Sequence, residues 1–455
     1  MSDIAVAGKH ISTGQAASIG VAAMVGAGIF SLLGAAGEVA GAAVWLSFVL
    51  AGGIAALQGY SFGKLGARYP SAGGMLEYVN RAFGDGHIAT IVAWLVYIAN
   101  GIVTAMVALS FGSYASTAFA GGDPVAIKAF AVALLLVMTG LNVAGSNVVA
   151  RVQGVVVFVV IGILAVFAIV TIANIEPGNL APSTYPGVRD IVSSVALTFF
   201  AFLGFGVVTF TARDLASPAK QLPMAMAIAI GVATIIYVAV ALGVFGTLSV
   251  AEVIAAGPTA IAVAAQPVLG NAGYWLMTVT ALFATAGATN SGLYPATGLS
   301  DHLAATGQFP TLMARRLGGR VPFGLISLAV AVIIVVVVFD LSAVASIGSA
   351  VALTIFGLVT LGHLRISADT GARRSILYLA LATVAVTLAT FAVTTLIQEP
   401  ASIATLVGIL VVSVLLDVGW SRRRVRQTGP GPGPSAGPDD APPSPSPRPI
   451  EGGPG

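Results

Sequence analysis

Two apolar stretches are interrupted by glycine in corresponding places. Gly26-Ala27-Gly28 breaks the first, and Gly204-Phe205-Gly206 breaks another five stretches later. The chemistry that such breaks supply comes from the backbone. An unwound turn inside a membrane helix frees N–H and C=O groups at mid-depth, where they must face a ligand, water or protein. Glycine-interrupted segments in matching places of two halves point to a transporter's binding site. Glycines 26 and 28 remove side chains that would block a ligand. The half-helix that follows offers unpaired N–H donors and the positive end of its dipole, which suits a carboxylate. The same residues also suit close helix packing, so the motif alone leaves both readings open. At the second break Phe199, Phe200, Phe202 and Phe205 surround Gly204. Bulky rings beside an adaptable backbone fit a gate, with Phe200 as the ring covering the pocket; lipid-facing rings are the alternative.

Titratable chemistry is sparse. Every acid and base falls near the end of an apolar stretch or in a loop, whereas a proton relay or counter-charge usually places an ionisable group deep in the membrane. Asp214, flanked by Arg213 and Lys220, is the acid nearest the second break and fits an interfacial ion pair that gates or caps it. His10, His87, His302 and His363 are scattered among loops at or beyond the stretch ends and suggest no metal site. With no cysteine, neither a disulfide frame nor a thiolate metal site is available. The chain carries no phosphate-cradling loop and no Ser/His/Asp set at common depth. An enzyme is therefore not expected, no cofactor is called for, and a gradient or counter-substrate must drive any transport.

The elements that hold these breaks follow from composition. The chain has 455 residues, 57% of them hydrophobic and 8% charged, against about 25% charged in soluble domains. It reads as an all-α polytopic membrane protein embedded in the lipid bilayer. Twelve transmembrane helices are expected, at 15–39, 43–62, 87–120, 126–142, 152–174, 191–212, 224–248, 272–298, 323–339, 341–364, 375–397 and 401–420. With both termini cytoplasmic, all but Lys128 and Arg189 of the 20 basic residues lie in cytoplasmic loops and tails. The net charge of +3 thus reflects orientation and not a nucleic-acid partner. The breaks fall in helices 1 and 6, so five helices recur, and an odd repeat inverts its orientation. The expected organisation is a cytoplasmic tail at 1–14, a first repeat at 15–174, a second at 190–365 and helices 11 and 12 at 375–421. A disordered Pro/Gly-rich cytoplasmic tail follows at 427–455.

Three stretches carry a family resemblance. Met24-Val25-Gly26-Ala27-Gly28-Ile29-Phe30 resembles the first-helix motif of the amino acid/polyamine/organocation permeases, and Arg68-Tyr69-Pro70-Ser71-Ala72-Gly73-Gly74 resembles their loop between helices 2 and 3. Phe200-Ala201-Phe202-Leu203-Gly204-Phe205, followed by Asp214 and Ser217-Pro218, resembles helix 6, and Gly307-Gln308-Phe309-Pro310 the end of helix 8. The resemblance implies a five-plus-five inverted repeat with helices 1 and 6 broken. It also implies that Met24, Gly26, Ala27 and Gly28 hold a substrate α-carboxylate. Carbonyls near Ala201 and Leu203, beside Phe202 and Gly204, would receive the α-amine, with Phe200 as gate. Asn100 takes the place of a polar helix-3 residue facing substrate, or serves as interhelical glue, with Val103 one turn on. Thr289, Asn290 and Ser291 match positions that can hold sodium, or they bond their own helix.

Two departures bear on mechanism. Where many relatives carry a carboxylate this chain has Gly206, and where some carry a helix-5 lysine it has Val160. The missing helix-6 acid argues against polyamines or arginine and favours a zwitterion with a neutral side chain, and Phe, Val and Met walls suit an apolar one. The expectation is a plasma-membrane permease moving a small-molecule amino acid by alternating access. A proton, sodium, exchange or simple facilitation all stay open as coupling, as does oligomeric state. An organic amine carrier or exchanger is the alternative, and a channel with a carbonyl filter the more distant one.

Overall fold

The chain enters its first helix through a capping box. Ser12 Oγ accepts from the Gln15 N–H at 3.2 Å, and the Ser12 N–H donates to Gln15 Oε1 at 2.8 Å. The computed structural model describes residues 11–26, 28–71, 73–84, 86–144, 147–393 and 408, and the side chains of all of these but 147–155. Helix α1 (Thr13–Met24) stops at Val25, whose ψ of 25° leaves the helical range, and α2 (Gly28–Ala40) resumes beyond Gly26. A 3-10 turn at Gly41–Ala43 leads to α3 (Val44–Arg68), then α4 (Met75–Phe83), α5 (His87–Phe119), α6 (Pro124–Ala144) and α7 (Asn147–Ala173).

After a loop come α8 (Val188–Phe199) and a 3-10 segment, Phe200–Asp214. They are followed by α9 (Pro218–Thr247), α10 (Val250–Ala256), α11 (Ala260–Leu293), α12 (Pro295–Ala305) and α13 (Phe323–Val338). The last described helices are α14 (Leu341–Arg365), α15 (Ser367–Thr370) and α16 (Arg374–Phe391). A two-stranded hairpin, Arg316–Leu317 with Val321–Pro322, joins α12 to α13.

Among the described residues nine helical stretches are long and apolar enough to cross a membrane, and α13 is a shorter apolar helix. The chain is a polytopic membrane protein. Of the twelve expected spans, the first is divided between α1 and α2. The eighth begins beyond a kink at Gly270, where φ is 64°, and is carried by the rest of α11 and by α12. Residues 1–10, Ala27, 394–397, 427–455 and the twelfth span except Gly408 lie outside the described residues.

The sixth span differs in kind from the expected break. It does not come apart but changes from α to 3-10 winding at Phe200. Such a run is long for a 3-10 helix. Its own side chains help to explain it: Thr209 Oγ1 donates to the Gly206 carbonyl at 2.6 Å and Thr211 Oγ1 to the Val208 carbonyl at 2.8 Å, both three residues back. Two glycines and the β-branched Val207, Val208, Thr209 and Thr211 weaken the α alternative.

Helix α1 packs on the 3-10 segment and α2 packs on α8, so the first and sixth spans run antiparallel against each other. Both ends of this pair are covered. At one end the Ile11 N–H donates to the Asp214 carbonyl at 2.9 Å, and Ile11 bridges to Leu215. At the other, α10 and the turn Gly257–Thr259 lie on α2, where a Cβ at Gly34 would stand 2.6 Å from the Gly257 Cα.

Candidate functional site

The two glycine motifs meet each other. A Cβ at Gly28 would fall on the Cα and Cβ of Ala201, and one at Gly204 would fall on the Ala23 carbonyl and lie 2.6 Å from the Met24 nitrogen. Each interrupted span thus lends a glycine to receive the other's backbone. Gly26 plays the same part toward α11, its missing Cβ direction ending 2.6 Å from the Ala288 Cβ. Close packing is what the side-chain-free faces do in this conformation. The N–H groups of the first turn of α2 remain the donors that helix geometry leaves without an intrahelical partner. Met24, Gly26 and Gly28 are buried, while Ala27 lies outside the described residues.

On the facing segment Phe200, Ala201 and Phe202 are buried and Leu203 and Gly204 half-buried. The Phe200 ring lies over Gly348 of α14, beside Ile102 of α5. It therefore stands where three spans meet. The carbonyl of Ala201, expected to receive an amine, already accepts from the hydroxyl of Tyr237 in α9 at 3.0 Å. Tyr237 was missed in the sequence; its signal is a single phenol in the apolar run Thr234-Ile235-Ile236-Tyr237-Val238-Ala239. It is fully buried, with rings of Phe48 and Phe202 at 5.4 and 5.1 Å. Phe205 turns to a different cluster, against Phe62 at 5.7 Å and Phe356 at 5.1 Å.

Asn100 bonds across helices. Its Nδ2 donates to the Gly292 carbonyl at 2.7 Å, tying α5 to the C-terminal turn of α11 just before Pro295. Val103 is half-buried on the same helix. Asn100→Leu, which keeps the volume and strands the Gly292 carbonyl, is expected to destabilise the protein by about 1–2 kcal/mol. A lowered thermal midpoint of the purified protein is the measured outcome.

Thr289, Asn290 and Ser291 point in three directions. Thr289 Oγ1 donates to the Thr285 carbonyl at 2.9 Å and Ser291 Oγ to the Gly287 carbonyl at 3.2 Å, the own-helix bonding weighed above. Asn290 Oδ1 accepts from Asn142 Nδ2 of α6 at 2.8 Å. Asp214 is exposed and contributes its backbone carbonyl, not its carboxylate, to the closure with Ile11.

Charge is kept away from this centre. Among the described residues no Asp, Glu, Lys or Arg is buried. A cleft beside Gly26, lined by Val25, Val160, Phe283, Ala284 and Ala288, has about 10 Å³ of free space, room for roughly one water. Its side chains are apolar. The described histidines lie on helices and not in loops: His87 and His302 are exposed on α5 and α12, while His363 is buried in the last turn of α14.

A family model described as amino acid permease matches residues 11–417. The inner membrane transport protein YbaT of Escherichia coli is 30% identical over 418 residues, covering 91% of this chain and 97% of that protein. An uncharacterised protein of Methanocaldococcus jannaschii is 30% identical over 81% of this chain and 85% of its own length. The methylthioribose transporter of Bacillus subtilis is 26% identical over 54% of this chain and 56% of its own.

Proposed function

The chain belongs to the amino acid permease family, and on that premise we propose that this membrane transporter moves a neutral amino acid with an apolar side chain by alternating access. One observation supports the reading above the rest. The break between α1 and α2 nests against the sixth span, and no Asp, Glu, Lys or Arg is buried among the residues whose side chains are described. A substrate with a net charge or a second cation would lack a counter-charge in such a centre, and a buried unpaired charge is costly. A zwitterion brings its own. Its carboxylate is assigned to the N-terminal turn of α2 around Gly26, Ala27 and Gly28, and its amine to the carbonyls of Ala201 and Leu203 once the Tyr237 hydroxyl gives way.

Met24, Asn100, Val103, Phe202 and Gly204 then line or shape the pocket, and Phe200 closes it with Asp214 capping the cytoplasmic end. The five-plus-five inverted repeat is supported by the antiparallel seating of the first and sixth spans. The Thr289 and Ser291 hydroxyls donate to carbonyls of their own helix and Asn290 Oδ1 accepts from Asn142, and a sodium gradient imposed on uptake tests whether the three also hold that ion. A plasma-membrane location with both termini cytoplasmic is supported by the basic loops and by the inner-membrane name of the Escherichia coli relative.

The test is competition in proteoliposomes. Neutral apolar amino acids are expected to inhibit uptake of one another, and the matching amines, lacking the α-carboxylate, to be at least about 100-fold weaker, since a charge-assisted contact to backbone donors is lost. Equal inhibition by the amines would favour the organic amine carrier instead.

A further inference from the structure

Helices α3 and α14 run parallel and are pinned by two rungs of buried polar contacts. Thr360 Oγ1 donates to Gln58 Oε1 at 2.6 Å, and three residues further along both helices Ser61 Oγ meets His363 Nδ1 at 2.8 Å. All four side chains are fully buried. The other ring nitrogen, Nε2, lies 2.8 Å from Thr370 Oγ1 in α15. The Thr370 hydroxyl already donates to the Ser367 carbonyl at 3.2 Å, so toward the ring it accepts. Nε2 therefore carries the hydrogen and Nδ1 accepts from Ser61.

With the hydroxyls in these directions the imidazole is neutral. A proton on Nδ1 would set one donor against another until the Ser61 hydroxyl turned away.

The charged and titratable groups around this end are Tyr60, Lys64 and Arg68 on α3, Glu77, Tyr78 and Arg81 on α4, and His87 at the head of α5. The others are Arg213 and Asp214 on the 3-10 segment, Tyr69, Asp369 of α15, Arg373 and Arg374 near α16, and Arg365 on α14 itself. Most have their own engagements. Glu77 pairs with Arg81 at 2.7 Å, and Asp369 accepts from Tyr69 at 3.3 Å. Arg374 Nε donates to Ser367 Oγ of α15 at 3.1 Å, and Arg365 lies 4.6 Å from the Phe83 ring centre. Both partners of the His363 ring are hydroxyls, which can reverse their direction, and not carboxylates.

We propose that His363 is a proton-binding latch: neutral, it holds α3 to α14, and when that seam parts during transport the wetted ring takes a proton from the cytoplasmic water and delays closure. The inference rests on the alternating-access reading above. An exposed imidazole titrates near pH 6.5, so the transport rate should respond to cytoplasmic-side pH across that region.

Uptake of a transported amino acid is measured in oriented proteoliposomes between about pH 5.5 and 8 on the cytoplasmic side. Wild type, His363→Gln and Ser61→Ala are compared, with histidine ¹⁵N NMR titrations of the same proteins in nanodiscs. Wild type is expected to slow by about three-fold or more toward acid, and His363→Gln to lose that dependence while still transporting. Ser61→Ala, which removes the donor that favours the neutral ring, should move the midpoint to higher pH by about half a unit. A flat wild-type profile, or a wild-type profile in His363→Gln, overturns the latch. If His363→Gln does not reach the membrane, an unmoved midpoint in Ser61→Ala overturns it equally. If no amino acid is transported at all, the substrate reading fails by itself, and the latch then stands or falls on whether the His363 signal titrates in this range.

Discussion

Gly28→Ala is expected to abolish transport although the chain still inserts. The added methyl would fall on the Cα and Cβ of Ala201, and a backbone atom cannot swing aside as the tip of a flexible side chain can. Overpacking of this kind costs about 1–3 kcal/mol in stability. Its functional cost is larger. A site that grips its ligand through fixed backbone groups loses on the order of 100-fold when those groups shift by about 1 Å, and uptake per inserted molecule should fall by that much. Gly53→Ala is the control, because nothing lies within 4 Å of a Cβ there.

The double variant Gly28→Ala with Ala201→Gly removes only the side-chain half of this collision, because the backbone Cα of residue 201 still lies under the added methyl. It is therefore expected to stay nearly as silent as the single variant, because the remaining collision is with backbone and not with a side chain. Radiolabelled uptake normalised to membrane protein checks all three. A double variant that regains wild-type uptake would show that the two backbones are not held against each other here and would discard the nesting account.

What the sequence made legible is what local composition controls. The first break could be read because two glycines interrupt an apolar run, and the spans because a bilayer demands about 20 apolar residues per helix. The sixth span was legible as an irregularity and not as its form. Gly204 and Gly206 announced that α winding would fail, but the 3-10 outcome depends on where Thr209 and Thr211 send their hydroxyls.

Long-range polar pairs were not legible at all. Nothing near Asn290 says that its partner is Asn142, nothing near Ala201 says that Tyr237 holds its carbonyl, and nothing near His363 points to Ser61. Such pairs arise from the register between helices, which short polar side chains in an apolar run do not encode singly. The same point explains Asn100. Its type suited either a ligand or a neighbouring helix, and only the position of the Gly292 carbonyl shows which contact its amide makes in this conformation.

Phe200→Ala is expected to weaken substrate capture and to leave the carrier open for longer, raising the half-saturating concentration by about ten-fold or more. The ring is 2% exposed and lies where α5, α14 and the sixth span converge, over a glycine that makes room for it. Deleting a buried phenyl group costs about 3–5 kcal/mol. If the ring is buried so fully only in the closed arrangement, that cost falls on the closed state alone and shifts the closed-to-open balance by on the order of 100-fold or more. Phe200→Leu keeps most of the buried volume and should stay within about three-fold of wild type. Gly348→Ala supplies the converse, since its methyl would collide with the Phe200 ring. Alone it should block transport, and on the Phe200→Ala background the block should ease, because the ring is gone and only the Ile102 Cγ2, 2.9 Å away, still crowds the added methyl. Concentration-dependent uptake and counterflow of the four variants measure this directly. Wild-type kinetics in Phe200→Ala would reduce the ring to packing and take it out of the gate.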